Sequence, residues 1–403
     1  LEFTKEWKRI KVSDLLDFYS TNSLSWEQLE YELNEPYNLH YGLIHVGLPT
    51  LIDLTKDKLP SIKDGNVPKK YELCKEGDIA FADASEDTNE VAKVVEFYKL
   101  DGKKVVCGLH TIHGRDNSKQ TEKGFLGYCF SSPAFHNQIR RIAQGTKIYS
   151  INTRNFSEVF VGLPSRSEQQ KIATMLRLID ERIAAQNKII EKYESLIQAM
   201  CDTLIGKKTQ QVMLSFNDFG ESYSGLSGKS AEDFGEGSPY ITYMNVYQNQ
   251  IIDITDIGLV KINKTEQQSL VQYGDILFTL SSETPEEVGI GAVYLGETYP
   301  LYLNSFCFGI HITDESKIFP PFLAYYVSSE SFRKAVFPLA QGSTRFNLQK
   351  GDFMKKVFPF PAIEQQRKIY SILKTYSDKL NIEKQMIKLL CCQKQYLLRQ
   401  LFI

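Results

Sequence analysis

Residues 165–205 read SRSEQQKIATMLRLIDERIAAQNKIIEKYESLIQAMCDTLI, without a Gly or Pro in the run. The stretch is rich in Glu, Gln, Lys, Leu and Ile, residues that lose little side-chain freedom in a helix. Ile172, Leu176, Ile179, Ile183, Gln186, Ile190, Tyr193, Ile197, Met200 and Leu204 fall at alternating steps of four and three. That is an a/d heptad seam with one polar member. A helix laid on a globular core presents a wider apolar face, about three residues in seven. The spacing therefore predicts a helix paired with another helix, closed by Gly206 as a C-terminal cap.

The partner lies in the same chain. Residues 362–403 also lack Gly and Pro, and adding 197 to each seam position gives Ile369, Leu373, Tyr376, Leu380, Glu383, Ile387, Leu390, Lys394, Leu397 and Leu401. Each run of about 40 residues at about 1.5 Å per residue makes a rod about 60 Å long. Antiparallel pairing is expected, because it places the flanking globular parts at opposite ends.

The same offset of 197 extends outward from the helices. Gly77-Asp78-Ile79-Ala80-Phe81 recurs as Gly274-Asp275-Ile276-Leu277-Phe278, Ala143-Gln144-Gly145 as Ala340-Gln341-Gly342, and Pro164 as Pro361. A period of half the chain is a tandem duplication rather than a short-repeat solenoid. It divides the sequence into a head (1–164), a helix (165–208), a second head (209–361) and a second helix (362–403). In the heads, strands are expected at Leu39–Val46, Asp78–Ala82, Lys104–Leu109, Ile251–Ile254, Asp275–Leu280 and Gly291–Tyr294, and helices at Val12–Asp17, Pro133–Ala143 and Pro321–Ser328. Strands and helices do not alternate regularly, which disfavours a doubly wound parallel sheet. The expected class is α+β: two globular heads separated by two long helices packed as an antiparallel coiled coil, with a pseudo-two-fold internal repeat.

The 403 residues are 42% hydrophobic and 24% charged, with a net charge of -2. No apolar stretch approaches the ~18 residues of a membrane span. The opening Leu1-Glu2-Phe3-Thr4-Lys5 does not read as a secretory signal, and the missing initiator Met reads as a trimmed start. Seven cysteines without a C-x-x-C favour a reduced, cytoplasmic setting. The charge excludes a uniformly basic nucleic-acid binder but not local patches. The helical segments carry +2 and +5 and the heads -2 and -7. Late in each head the sign turns: residues 133–157 hold Arg140, Arg141, Lys147 and Arg154 without an acid, and residues 331–356 hold Arg333, Lys334, Arg345, Lys350, Lys355 and Lys356 against Asp352. Around Gly145-Thr146-Lys147 and Gly342-Ser343-Thr344-Arg345, a Gly–Ser/Thr–basic turn can offer backbone N–H, hydroxyl and cation together to a phosphate.

Catalytic signatures do not emerge. Gly228-Lys229-Ser230 resembles the end of a P-loop, but Tyr223 stands where the first Gly is required. No G-x-G-x-x-G opens a helix and no nucleophile elbow is present. The histidines lack Cys or carboxylate neighbours at zinc-ligand spacing, so no metal is expected.

The order of motifs resembles the specificity subunit of type I restriction-modification systems. Each head is followed by a Pro–Glu-Gln-Gln–Lys-Ile run and a long helix: Pro164-Ser165-Arg166-Ser167-Glu168-Gln169-Gln170-Lys171-Ile172, and Pro361-Ala362-Ile363-Glu364-Gln365-Gln366-Arg367-Lys368-Ile369. The second copy has one residue fewer after Pro and one more before Ile. The resemblance covers essentially the whole chain and implies two target-recognition domains, each reading one half of a split sequence in double-stranded DNA, with the helices as the ruler between them. It also implies docking of two modification (methyltransferase) subunits and of restriction (translocase/nuclease) subunits. S-adenosylmethionine and ATP would then sit on those partners, this chain being non-catalytic and without cofactor.

Three regions of each head are the expected DNA contacts: Tyr41 and His45, with Tyr243 and Asn245; Ser85 and Glu86, with Ser281, Ser282 and Glu283; and Thr146 and Lys147, with Ser343, Thr344 and Arg345. His110 and Arg115 are added in the first head. The helix seam for partner docking comprises Ile172, Leu176, Ile179, Ile183, Ile190, Ile369, Leu373, Leu380, Ile387 and Leu397. The alternative function is a two-headed protein-interaction scaffold that binds no DNA.

Overall fold

The computed structural model describes residues 7–31, 35–206, 211–297 and 299–402. The opening pentapeptide and residues 207–210, where the first helical segment meets the second head, lie outside the described residues. The chain divides into two compact units, Leu1–Asn187 with Gln385–Ile403, and Lys188–Lys384. Both divisions fall inside a long helix, so each unit owns one head and part of each helix.

In the first unit a five-stranded sheet runs in the order Asp17–Tyr19, Thr111–Arg115, Ile79–Ala82, Val94–Lys99, Leu51–Asp53, antiparallel except for its last pair. Beside it lies a four-stranded sheet of Val105–Cys107, Tyr37–Leu39, Ser61–Ile62 and Leu29–Glu30. The second unit carries an antiparallel sheet of Gly220–Ser224, Cys307–Ile312, Ile276–Thr279 and Gly291–Val293, and a three-stranded one of Ile257–Val260, Phe234–Ile241 and Tyr302–Leu303. The mixed, mostly antiparallel sheets with short helices fit the α+β class.

The repeated Gly-Asp motif opens the central strand of each main sheet. Gly77 and Gly274 both sit at φ 89°, the left-handed region that favours glycine. The following carboxylates close the turn by accepting from the Lys75 and Gln272 backbone N–H, each at 2.8 Å.

The long helices span Arg166–Ile205 and Ile363–Leu401. Ser165 and Glu168 form a capping box at the first start: the Ser165 hydroxyl accepts from the Glu168 N–H at 3.4 Å, and the Glu168 carboxylate accepts from the Ser165 N–H at 3.3 Å. In the first unit Ile172, Ala173 and Leu176 share a core with Leu398, Leu401 and Phe402. In the second, Ile197, Cys201 and Ile205 share one with Ile369 and Leu373. Each unit thus sets the start of one helix against the end of the other, beneath its own head. All ten seam positions of each helix are buried or half-buried, whereas most positions between them are exposed.

Two strand expectations are corrected. Leu39–Val46 is a strand only to Leu39; the His40 ring then accepts from the Gly42 N–H at 3.2 Å and caps a helix, Tyr41–His45. Ile251–Ile254 makes a single bridge, Ile251 to Val293, before the Asp253 side chain accepts from Thr255 and turns the chain. Local side-chain-to-backbone bonds outweighed β propensity in both places.

Candidate nucleic-acid interface

Each basic turn is the tip of a hairpin. In the first head Gln144 and Ser150 exchange backbone hydrogen bonds at 2.9 and 2.8 Å. In the second, Ala340–Gln341 pairs with Phe346–Leu348. Gly145 and Gly342 adopt φ 136° and 143°, and a Cβ on either would overlap the carbonyl of Ile148 or Arg345. The glycines are therefore required by the turns. Thr146 and Lys147, and Ser343, Thr344 and Arg345, are exposed.

Strand pairing joins the tips to the second expected region. Tyr149 pairs with Ser85 and Ser150 with Ala84; Asn347 pairs with Ser281 and Phe346 with Ser282. The first region joins through a single carbonyl in each head. His45 Nε2 donates to the Ala84 carbonyl at 3.0 Å, and the Tyr243 hydroxyl to the Ser281 carbonyl at 2.9 Å. Ala84 and Ser281 are 197 apart, so the three regions converge in the same way in both heads.

Not every expected residue faces outward. Glu86 and Glu283 are exposed, Tyr41 and Ser85 half-buried. His110, at φ 55°, is exposed, with its Nδ1 3.1 Å from Asp83 and its ring 5.2 Å from that of Tyr41. Ser281 and Ser282 are buried, and the Ser282 hydroxyl donates to Glu287 at 3.0 Å.

Two assignments are corrected. Arg115 is 7% exposed and makes a bidentate pair with Asp78, Nε and Nη2 each at 2.8 Å, with Nη1 2.7 Å from Glu72. Burial pushes the Asp78 carboxyl up, but His113 and Arg115 outweigh it and hold the group below its usual range. Asn245 is fully buried, and its amide donates to the carbonyls of Asp253 and Asp256. Both build the head from inside. Arg333 likewise donates to the carbonyls of Gly289, Glu286 and Val288, and burial lowers its pKa.

The sequence reading missed the apolar companions of the cations. Phe306, 54% exposed, lies with its ring centroid 5.8 Å from the Arg345 guanidinium, and Ile148 is 62% exposed beside Lys147. A cation beside an exposed ring can stack on a base as well as pair with a phosphate. An aromatic residue in the polar turn Asn304-Ser305-Phe306 was the available signal.

A family model, the type I restriction modification DNA specificity domain, matches residues 97–195 and 213–390. The specificity subunit of the EcoKI type I restriction enzyme of Escherichia coli K12 is 24% identical over 269 residues, 61% of this chain and 56% of that protein. The MjaVIII specificity subunit of Methanocaldococcus jannaschii is 25% identical over 262 residues, 60% of each. The chain thus spans less than two thirds of the length of these two relatives. A solved structure describing complex assembly and conformational transition of the type I R-M system shares the fold, with a TM-score of 0.61 at 15% identity over 99% of this chain and 98% of that one. No helix among the described residues is long and apolar enough to cross a membrane.

Proposed function

This chain belongs to the type I restriction-modification DNA specificity domain family, and on that premise we propose that it is the sequence-reading subunit of such a system. Each head reads one half of a bipartite target in double-stranded DNA. The long helices pair along their whole seam as an antiparallel strut and set the gap. A rod of about 60 Å suits half-sites about one helical turn, ~34 Å, apart. Two modification subunits dock on the helices, and restriction subunits join them. S-adenosylmethionine and ATP are bound by those partners in the cytoplasm, while this chain contributes recognition and no catalysis.

One observation carries the reading: the same Gly-bent hairpin tip, bearing an exposed cation, stands in both heads 197 residues apart. Lys147 and Thr146 meet the duplex from one head, and Arg345, Ser343 and Thr344 from the other. His110 and Tyr41 flank the first contact, and Phe306 the second. Thr, Ser and Lys contacts position the head on phosphates, while Arg345 can also form a bidentate pair with a guanine edge.

The test uses the chain assembled with its modification subunit, on the target found by mapping methylated adenines in a host expressing both. Lys147→Glu and Arg345→Glu should each weaken retention about tenfold or more and flatten the salt dependence by about one unit of log–log slope. Unchanged retention and slope in both variants would overturn the reading in favour of a protein-interaction scaffold.

A further inference from the structure

We propose that the first head holds a zinc ion between Cys74, Cys107 and His113, with Asp78 as the positioning residue behind the histidine. The three side chains are buried, and one ligating atom of each lies within 4.8 Å of the others. They come from separate pieces of chain: Cys74 precedes strand Ile79–Ala82, Cys107 ends strand Val105–Cys107, and His113 is the middle of Thr111–Arg115. Separations of 33 and six residues hide the group from any spacing rule. The fold brings it together through the Cys74 N–H, which donates to the Val105 carbonyl at 2.8 Å.

The sulfur spacing fits a tetrahedral ion. The two sulfurs are 3.6 Å apart, and two thiolates each about 2.3 Å from a tetrahedral zinc stand about 3.8 Å apart. His113 Nε2 lies 2.8 Å from the Asp78 carboxylate, which fixes the proton on that nitrogen. Nδ1 is left with its lone pair, buried and without a hydrogen-bond partner among the described residues. Such an orphan is rare in a folded core. A carboxylate behind a ligating imidazole is the usual support of a zinc histidine.

Charge balance agrees. Two thiolates neutralise a divalent ion, and Asp78 is itself neutralised by Arg115 at 2.8 Å, so the occupied site adds no net charge to the core. Two sulfurs and an imidazole favour zinc over the hard, oxygen-seeking magnesium or calcium. A fourth position remains for water.

The ion would clamp both ends of the turn between Cys107 and His113, which carries His110, and would staple the four-stranded sheet to the five-stranded one. The positions 197 residues on are Val271, Asn304 and Ile310, which cannot repeat the ligand set. The proposal is therefore one zinc per chain, in the first head alone.

The experiment starts from the full chain carrying Cys391→Ser and Cys392→Ser, which removes the exposed pair on the second long helix. Reduced protein is incubated with zinc or cobalt salt alone and desalted. About one zinc per chain should be retained, and the cobalt form should show a thiolate-to-metal absorption band. Adding a chelator to the zinc-loaded chain should speed alkylation of Cys74 and Cys107 and leave that of the other buried cysteines, Cys129, Cys201 and Cys307, unchanged. That readout needs no variant to fold. Cys74→Ser and Cys107→Ser should each bring retained zinc to background. Asp78→Asn should keep the cobalt band while weakening zinc affinity about 10–100-fold in chelator competition. A parent chain that retains no ion, or cysteine variants that retain it in full, would overturn the proposal.

Discussion

In the first unit the Tyr128 hydroxyl donates to Asp180 on the first long helix at 2.9 Å, and Asp180 pairs with Lys394 of the second at 2.6 Å. In the second unit Tyr325 stands 197 residues on and donates to Ser377 at 3.0 Å. The counterpart of Lys394 there is Ile197, buried in the core. The two copies share the tyrosine that ties head to helix and differ at the junction, which is an ion pair in the first unit and an uncharged hydroxyl pair beside a buried isoleucine in the second. A different element did not change. Gln169 Nε2 donates to the carbonyls of Pro164 and Gln120 at 3.1 and 3.3 Å, while its Oε1 accepts from the Glu122 N–H at 2.8 Å. Gln366 repeats all three bonds with Pro361, Lys317 and Phe319 at 2.8, 3.0 and 2.9 Å. The glutamine pins the main chain where each head meets its long helix, and both units keep that anchor. How each junction is filled affects only its own unit.

The largest expected effect tests this shared anchor. Gln169→Ala and Gln366→Ala each leave three main-chain groups without a partner, at about 1–3 kcal/mol for those that stay buried, so each variant should lose about 4 kcal/mol. Urea unfolding of the two units gives the measure. Equal losses support an equivalent anchor, and a loss confined to one variant breaks the comparison.

A smaller effect separates the units by pH. In the main sheets Ile79 pairs with Glu96 and Ile276 with Val293, so a carboxyl occupies in one head the place of an isopropyl group in the other. Burial pushes the Glu96 carboxyl up to about 7, even though the Gly124 and Gly127 N–H groups donate to it. The unfolded chain ionises this group near 4.5, whereas the folded chain keeps its proton until about 7. Its contribution is full below pH 4.5, falls as the pH rises and levels off above about 7, a loss of about 3 kcal/mol across the window. Hydrogen exchange should follow that slope for strand Val94–Lys99 and not for Gly291–Val293, after correction for the intrinsic pH dependence of exchange. Glu96→Gln should flatten it.

What the sequence made legible was local or repeated: the helices, the seam and the Gly-Asp turn, each set by neighbours within a few positions, and the 197-residue offset at which they recur. The glutamine was visible as a motif, but its work was not, because its partners Gln120 and Glu122 come from the head some 47–49 residues earlier. Arg115 misled for the same reason. It stands beside His110 as a candidate DNA contact until the fold brings Asp78, 37 residues earlier, against it. The hairpin tips were the legible part of the candidate site, since a Gly–Ser/Thr–basic run is local. Their convergence with Ala84 and Ser281 depended on strand pairing that no short window encodes.

The smallest effect concerns the charged junction itself. Lys394 and Asp180 are 19% and 22% exposed, and the Lys394 ammonium also lies 5.6 Å from the centroid of the Tyr128 ring. Lys394→Met keeps the aliphatic stem packed and removes only the charge. Asp180 then retains the Tyr128 hydroxyl and some water, so the loss should be about 1 kcal/mol rather than the several expected for a carboxylate stranded in a dry core. In a double-mutant cycle with Asp180→Asn the coupling should be of that size and should shrink as salt rises. A coupling near zero would make the charged junction energetically equal to the Tyr325–Ser377–Ile197 arrangement, and the contrast between the units would then be one of composition alone.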